Sequence, residues 1–66
     1  MIQKLGPKIQ KYLKEEGISQ DFLAERLEIS VSSLNQMLTG RSKLPAEVYL
    51  KICQLLHRPV DYFIEP

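Results

Sequence analysis

Apolar residues recur along this chain at three- and four-residue spacings, and polar punctuation cuts the pattern into short pieces. Leu5, Ile9, Tyr12 and Leu13 fall at i, i+4, i+7 and i+8, the stripe of an amphipathic helix. Gly6-Pro7 reads as its start, with Pro7 expected at the first helical position, and Gly17 suits its C-terminal cap. Ser19 then caps a second helix, with Asp21 in the first turn, where the helix dipole favours an acid. Its apolar positions are Phe22, Leu23, Ala24 and Leu27. After Glu28 and Ile29, Ser30 is the next N-cap, and Ile29 and Leu34 stand in hydrophobic-staple positions around it.

A third helix is predicted over about Val31–Leu38, stopping near Gly40. Arg41 to Leu44 reads as a loop, and Pro45 opens a fourth helix. Val48, Tyr49, Ile52, Cys53, Leu55 and Leu56 supply its apolar face, and His57-Arg58-Pro59 ends it. Val60–Ile64 makes a short fifth helix or turn. No stretch alternates strictly enough to read as a strand, so the fold class is all-α, five short helices in a single domain over residues 1–66. Helices two and three are separated by only three residues, Glu28-Ile29-Ser30, which fits helix-turn-helix geometry.

Composition narrows the function. Sixty-six residues, 44% hydrophobic and 26% charged, make one domain near the lower size limit for a single core. A lone cysteine, Cys53, cannot form an internal disulfide, so an oxidising compartment is not indicated and the expected location is the cytoplasm. Cys53 and His57 are the only Cys and His, too few for a zinc site, and no metal or other cofactor is expected. Cys53 is expected to be structural and His57 to cap the C-terminus of helix four. Lys4, Lys8, Lys11 and Lys14 interrupt the first segment, which argues against a signal peptide. The longest uncharged stretch, Ile29–Gly40, is too short and too polar to span a bilayer, so no membrane is expected. No nucleophile–base pair or Gly-rich phosphate loop is present, so catalysis is not expected.

The faces of helix three carry the strongest signal. At about 100° per residue, Leu34, Met37 and Leu38 define one buried side. Ser32, Asn35, Gln36 and Thr39 point the other way or flank it, an uncharged face rich in hydrogen-bonding groups. Asn and Gln pair bidentately with adenine, Ser serves several bases, and Val31 on the flank suits a thymine methyl. The formal charge of +1 is unevenly spread. Ile29–Ala46 holds Arg41 and Lys43 and no acid, whereas the remainder holds seven basic and eight acidic residues, a net of −1. Arg41, Ser42 and Lys43 thus form a phosphate clamp beside the polar face.

Ile18-Ser19-Gln20 with Leu23-Ala24, then Ile29-Ser30, Leu34 and Gly40, resemble the phage-repressor/Cro-type (XRE) helix-turn-helix family. The similarity runs from about Lys8 to Phe63 and includes Leu56, Val60-Asp61 and Phe63 at the closing turn. It implies a lambda-repressor-like DNA-binding domain with its helix-turn-helix at helices two and three. It further implies a repressor-like transcriptional regulator, commonly dimeric, on double-stranded DNA. By the same resemblance Gln20 meets a phosphate, Val31, Ser32, Asn35 and Gln36 meet the bases, and Thr39, Arg41 and Lys43 follow the backbone.

The family pattern is broken in three ways. Glu28 stands where Gly is common, and a left-handed Glu costs roughly 1 kcal/mol. Leu13 and Leu38 replace a partly buried Arg–Glu pair, so these two leucines are expected to pack together. Pro45 lies one residue later than usual, which reshapes the loop before helix four. In the apolar run Tyr62-Phe63-Ile64, Phe63 is expected to close the core, leaving Tyr62 and Ile64 for a homodimer interface on a palindromic operator. The alternative, from another functional class, is a protein-interaction module such as an antitoxin or adaptor on the same fold.

Overall fold

The computed structural model describes residues 5–64. Residues 1–4, Lys4 included, and residues 65–66 of the expected 1–66 domain lie outside the described residues. Four helices follow in order: α1 (Leu5–Glu16), α2 (Gln20–Leu27), α3 (Val31–Thr39) and α4 (Ala46–Leu56). The all-α class agrees with the sequence pattern, but the count is four rather than five.

The missing fifth helix has a local reason. Pro59 donates no backbone hydrogen, and the segment after it is one turn long. Tyr62 N–H donates to the Pro59 carbonyl at 3.0 Å and Ile64 N–H to the Asp61 carbonyl at 3.2 Å, and these i to i+3 bonds make a tight turn. Phe63 is buried from that turn, and the Tyr49 hydroxyl donates to the Val60 carbonyl, so the turn is pinned to α4.

The caps are where the sequence puts them. Ser19 Oγ accepts from Phe22 N–H at 3.0 Å, and Ser30 Oγ accepts from Ser33 N–H at 3.0 Å. Each satisfies an orphan donor of a helix start, worth about 1 kcal/mol. Gly17 at φ 70° and Gly40 at φ 86° close α1 and α3 in the left-handed region. Glu28 (φ 61°) and His57 (φ 58°) close α2 and α4 the same way without being glycine. His57 therefore caps α4 through its backbone, donating to the Gln54 carbonyl at 3.1 Å.

Two local expectations are corrected. Pro7 is the third residue of α1, not the first, because the helix already begins at Leu5. Its missing N–H still falls in the first turn, where no intrahelical partner exists. Phe22 does not join the apolar face of α2 and remains 47% exposed. Leu23, Ala24 and Leu27 define the buried side; Phe22 sits about 100° round from Leu23, under the Arg26 guanidinium 4.9 Å from its ring centroid.

The core gathers Ile9 and Leu13 of α1, Leu23, Ala24 and Leu27 of α2, Leu34 and Leu38 of α3, and Tyr49, Ile52 and Cys53 of α4, closed by Phe63. Leu13 is 2% and Leu38 0% exposed within this one cluster, as the Arg–Glu replacement predicts. Burying each aliphatic side chain contributes about 1.5–3 kcal/mol. Ile29 and Leu34, the staple pair, lie respectively against and within the same cluster.

Outside the core, Arg58 ties the closing turn to α1. Its Nε donates to Tyr12 Oη at 3.0 Å, and its guanidinium lies 5.6 Å and 5.0 Å from the Tyr12 and Tyr62 ring centroids. No helix among the described residues is long and apolar enough to cross a membrane.

Candidate nucleic-acid interface

The Ser30 cap and the Gly40 cap bound α3, and between them Leu34, Met37 and Leu38 turn inward. That burial leaves Val31, Ser32, Asn35, Gln36 and Thr39 exposed on the remaining surface. Nine residues at 1.5 Å each make a rod about 13 Å long, comparable with the major-groove width of about 12 Å. Val31 is 43% exposed, an apolar group held at the start of an otherwise polar face.

Hydrogen bonding sorts this face into committed and available groups. Asn35 Nδ2 donates to Gln20 Oε1 at 3.3 Å, across from α3 to the first residue of α2. This brings a sequence-predicted base reader and a sequence-predicted phosphate contact together. The Thr39 hydroxyl donates to the Asn35 carbonyl at 2.9 Å and approaches the Gln36 carbonyl at 3.3 Å. A hydroxyl has one hydrogen, so Thr39 in this rotamer is committed to its own helix. Ser30 Oγ donates to Ser33 Oγ at 3.0 Å, which ties Ser33 to the cap.

The basic loop is folded back onto the end of α3. Arg41 N–H and Ser42 N–H both donate to the Gln36 carbonyl, at 2.9 Å and 3.1 Å, and Gly40 supplies the left-handed turn that allows it. Arg41, Ser42 and Lys43 are exposed just beyond the polar face of α3. The acids nearest in sequence, Glu28 and Glu47, belong to the C-terminal cap of α2 and to the first turn of α4 rather than to α3 or this loop. The expected base readers thus share one helix face, with Gln20 against its middle at Asn35 and Thr39 to Lys43 at its C-terminal end.

Two features escaped the sequence pattern. The Gln20–Asn35 bond joins residues fifteen apart, and nothing local announces it. Gly6 is buried against α3, although its i, i+3, i+7 relation to Ile9 and Leu13 marks it as part of the same stripe. Among the described residues no group of three or more His, Cys, Asp or Glu could hold a metal ion.

A profile of the XRE-type helix-turn-helix family matches residues 9–63, from Ile9 in α1 to Phe63 in the closing turn. The match therefore covers α1 from Ile9 onward, all of α2, α3 and α4, and the closing turn as far as Phe63. No curated protein and no solved structure matches the chain.

Proposed function

The chain belongs to the XRE-type helix-turn-helix family of DNA-binding regulators, and on that premise we propose that it is a repressor-like protein that reads an operator by placing α3 in the major groove. One observation carries the proposal. The exposed face of α3 is uncharged and amide-rich, and within Ile29–Ala46 the only charged residues are Arg41 and Lys43 of the loop that follows it. An ordinary solvated face carries Lys and Glu; base edges need short amides and hydroxyls, and phosphates need the cations.

In this reading Val31 meets a thymine methyl, and Ser32, Asn35 and Gln36 address base edges. Gln20, Arg41, Ser42 and Lys43 donate to phosphates. Thr39 joins them only by rotating its hydroxyl away from the Asn35 carbonyl. Residues 1–66 act as one cytoplasmic domain with no catalytic role. A second copy pairs through Tyr62 and Ile64, each 45% exposed, so that two α3 helices address half-sites of a palindrome about one helical turn apart. The Tyr62 ring is already engaged by Tyr12, Phe63 and Arg58, which leaves Ile64 the freer of the two.

Selection of bound sequences from random duplex DNA, followed by anisotropy titration over a salt series, tests this. The expected result is an enriched palindrome bound with salt-sensitive affinity. Absence of salt-sensitive binding to any duplex overturns it and leaves the protein-interaction reading, an antitoxin or adaptor.

A further inference from the structure

Gly6 is the one buried glycine in a helix, and a Cβ built on it would lie 2.3 Å from the Met37 carbonyl oxygen and 3.0 Å from both Cα and carbonyl oxygen of Leu38. These are backbone atoms, so no side chain can swing aside to make room. The first turn of α1 is seated directly on the last turn of α3.

That last turn is also where the basic loop hangs. The Gln36 carbonyl holds the N–H groups of Arg41 and Ser42, and the Met37 carbonyl accepts from Gly40 at 3.4 Å. The N-terminal end of α3 is held independently by the Ser30 cap, and its middle by the Gln20–Asn35 bond. A side chain at position 6 must move its neighbour by about 1 Å to reach ordinary contact distance, and only the C-terminal end of α3 meets it. The displacement therefore falls on the Arg41–Lys43 loop more than on Val31 and Ser32.

We propose that Gly6 is a positioning residue for phosphate binding: its bare backbone sets the height of the last turn of α3, and with it the stance of the Arg41–Lys43 loop against the reading face. The proposal rests on the DNA-binding reading above.

The test measures binding of the wild-type chain, Gly6→Ala and Ile9→Val to one selected duplex across a salt series. Ile9→Val disturbs the same stripe of α1 without intruding on α3. Each lost phosphate contact lowers the slope of log affinity against log salt by about one. Gly6→Ala is expected to lower it by one to two, and adding Arg41→Ala to Gly6→Ala is expected to lower it no further. Ile9→Val should keep the wild-type slope. Partial unfolding changes affinity by a factor nearly independent of salt, so the slope reports on the loop even in a destabilised variant. If Gly6→Ala binds too weakly to measure, the series is repeated in a Glu28→Gly background. A wild-type slope in Gly6→Ala overturns the proposal. So does a lack of measurable binding in both backgrounds, which makes Gly6 a folding residue only. A wild-type chain with no salt-sensitive binding instead overturns the DNA-binding reading itself.

Discussion

Asn35 Nδ2 donates to Gln20 Oε1 at 3.3 Å, so α3 and the first residue of α2 are joined through their side-chain amides. The bond uses one Asn35 hydrogen and leaves the other, together with Oδ1. One donor beside one acceptor is the pattern that matches N7 and N6 of adenine. Gln20 keeps both of its own amide hydrogens for a phosphate. In the proposed reading the pair couples the backbone contact of Gln20 to the base contact of Asn35. Gln20→Ala is expected to weaken the preference for adenine at the Asn35 position as well as overall affinity. In a double-mutant cycle with Asn35→Ala, the two changes should fall short of additivity by about 0.5 kcal/mol or more. Strict additivity on the selected operator would remove the coupling.

Gln36 and Lys43 separate the two proposed kinds of contact. Gln36 is exposed on the α3 face, whereas Lys43 sits in the loop beyond it. Gln36→Ala should cost about 1–3 kcal/mol on the selected sequence and relax discrimination at one base pair. Lys43→Ala should weaken every sequence alike and reduce the salt slope by about one. Competition titrations against single-base operator variants check both, and equal loss on all DNA for the two changes would falsify the assignment of the reading face.

Glu28 closes α2 at φ 61°, a region where a side chain costs roughly 1 kcal/mol that glycine escapes. Its N–H donates to the Glu25 carbonyl at 3.1 Å whatever the side chain, so the cap survives substitution. Glu28→Gly should therefore raise stability by about 0.5–1 kcal/mol in urea unfolding at unchanged m-value. It also removes a negative charge near the interface, so affinity for DNA should rise slightly or stay the same.

What the sequence foretold and what it did not divide along the range of the forces involved. Ser19, Gly17, Ser30 and Gly40 act on backbone groups within four residues, and all four cap as their positions predict. Leu13 and Leu38 were legible as members of one core because two leucines stand where the family has an ion pair. The outward polar face of α3 was legible from the 3.6-residue period alone. The turn at Val60–Ile64 is settled by Phe63 entering the core and by Tyr49 reaching across to it, contacts eleven or more residues away. Phe22 was misplaced because hydrophobicity does not say whether a residue beside a buried stripe is inside it. The seat of Gly6 on Met37 and Leu38 depends on how closely two helices approach, which no local pattern encodes.

Tyr49 provides a pH test of the closing turn. The residue is buried, its hydroxyl donates to the Val60 carbonyl, and the pKa is pushed up from 10.0 to about 12. Desolvation is the main cause, followed by the neighbouring Cys53 thiol, and Asp61 adds to it. A pKa raised on folding means that the folded state holds its proton more tightly than the unfolded state. The stability this represents is complete below about pH 10 and is lost as pH rises toward 12, by about 1.4 kcal/mol for each pH unit within that window. Tyr49→Phe has no proton to lose and leaves the Val60 carbonyl without this donor, at a cost of about 1 kcal/mol near pH 8. Denaturant midpoints of both chains from pH 8 to 12 should therefore converge above pH 10, because only the wild type loses stability to this ionisation. A constant difference across the whole range would mean that the hydroxyl does not hold the turn, and Phe63 alone would then close the core.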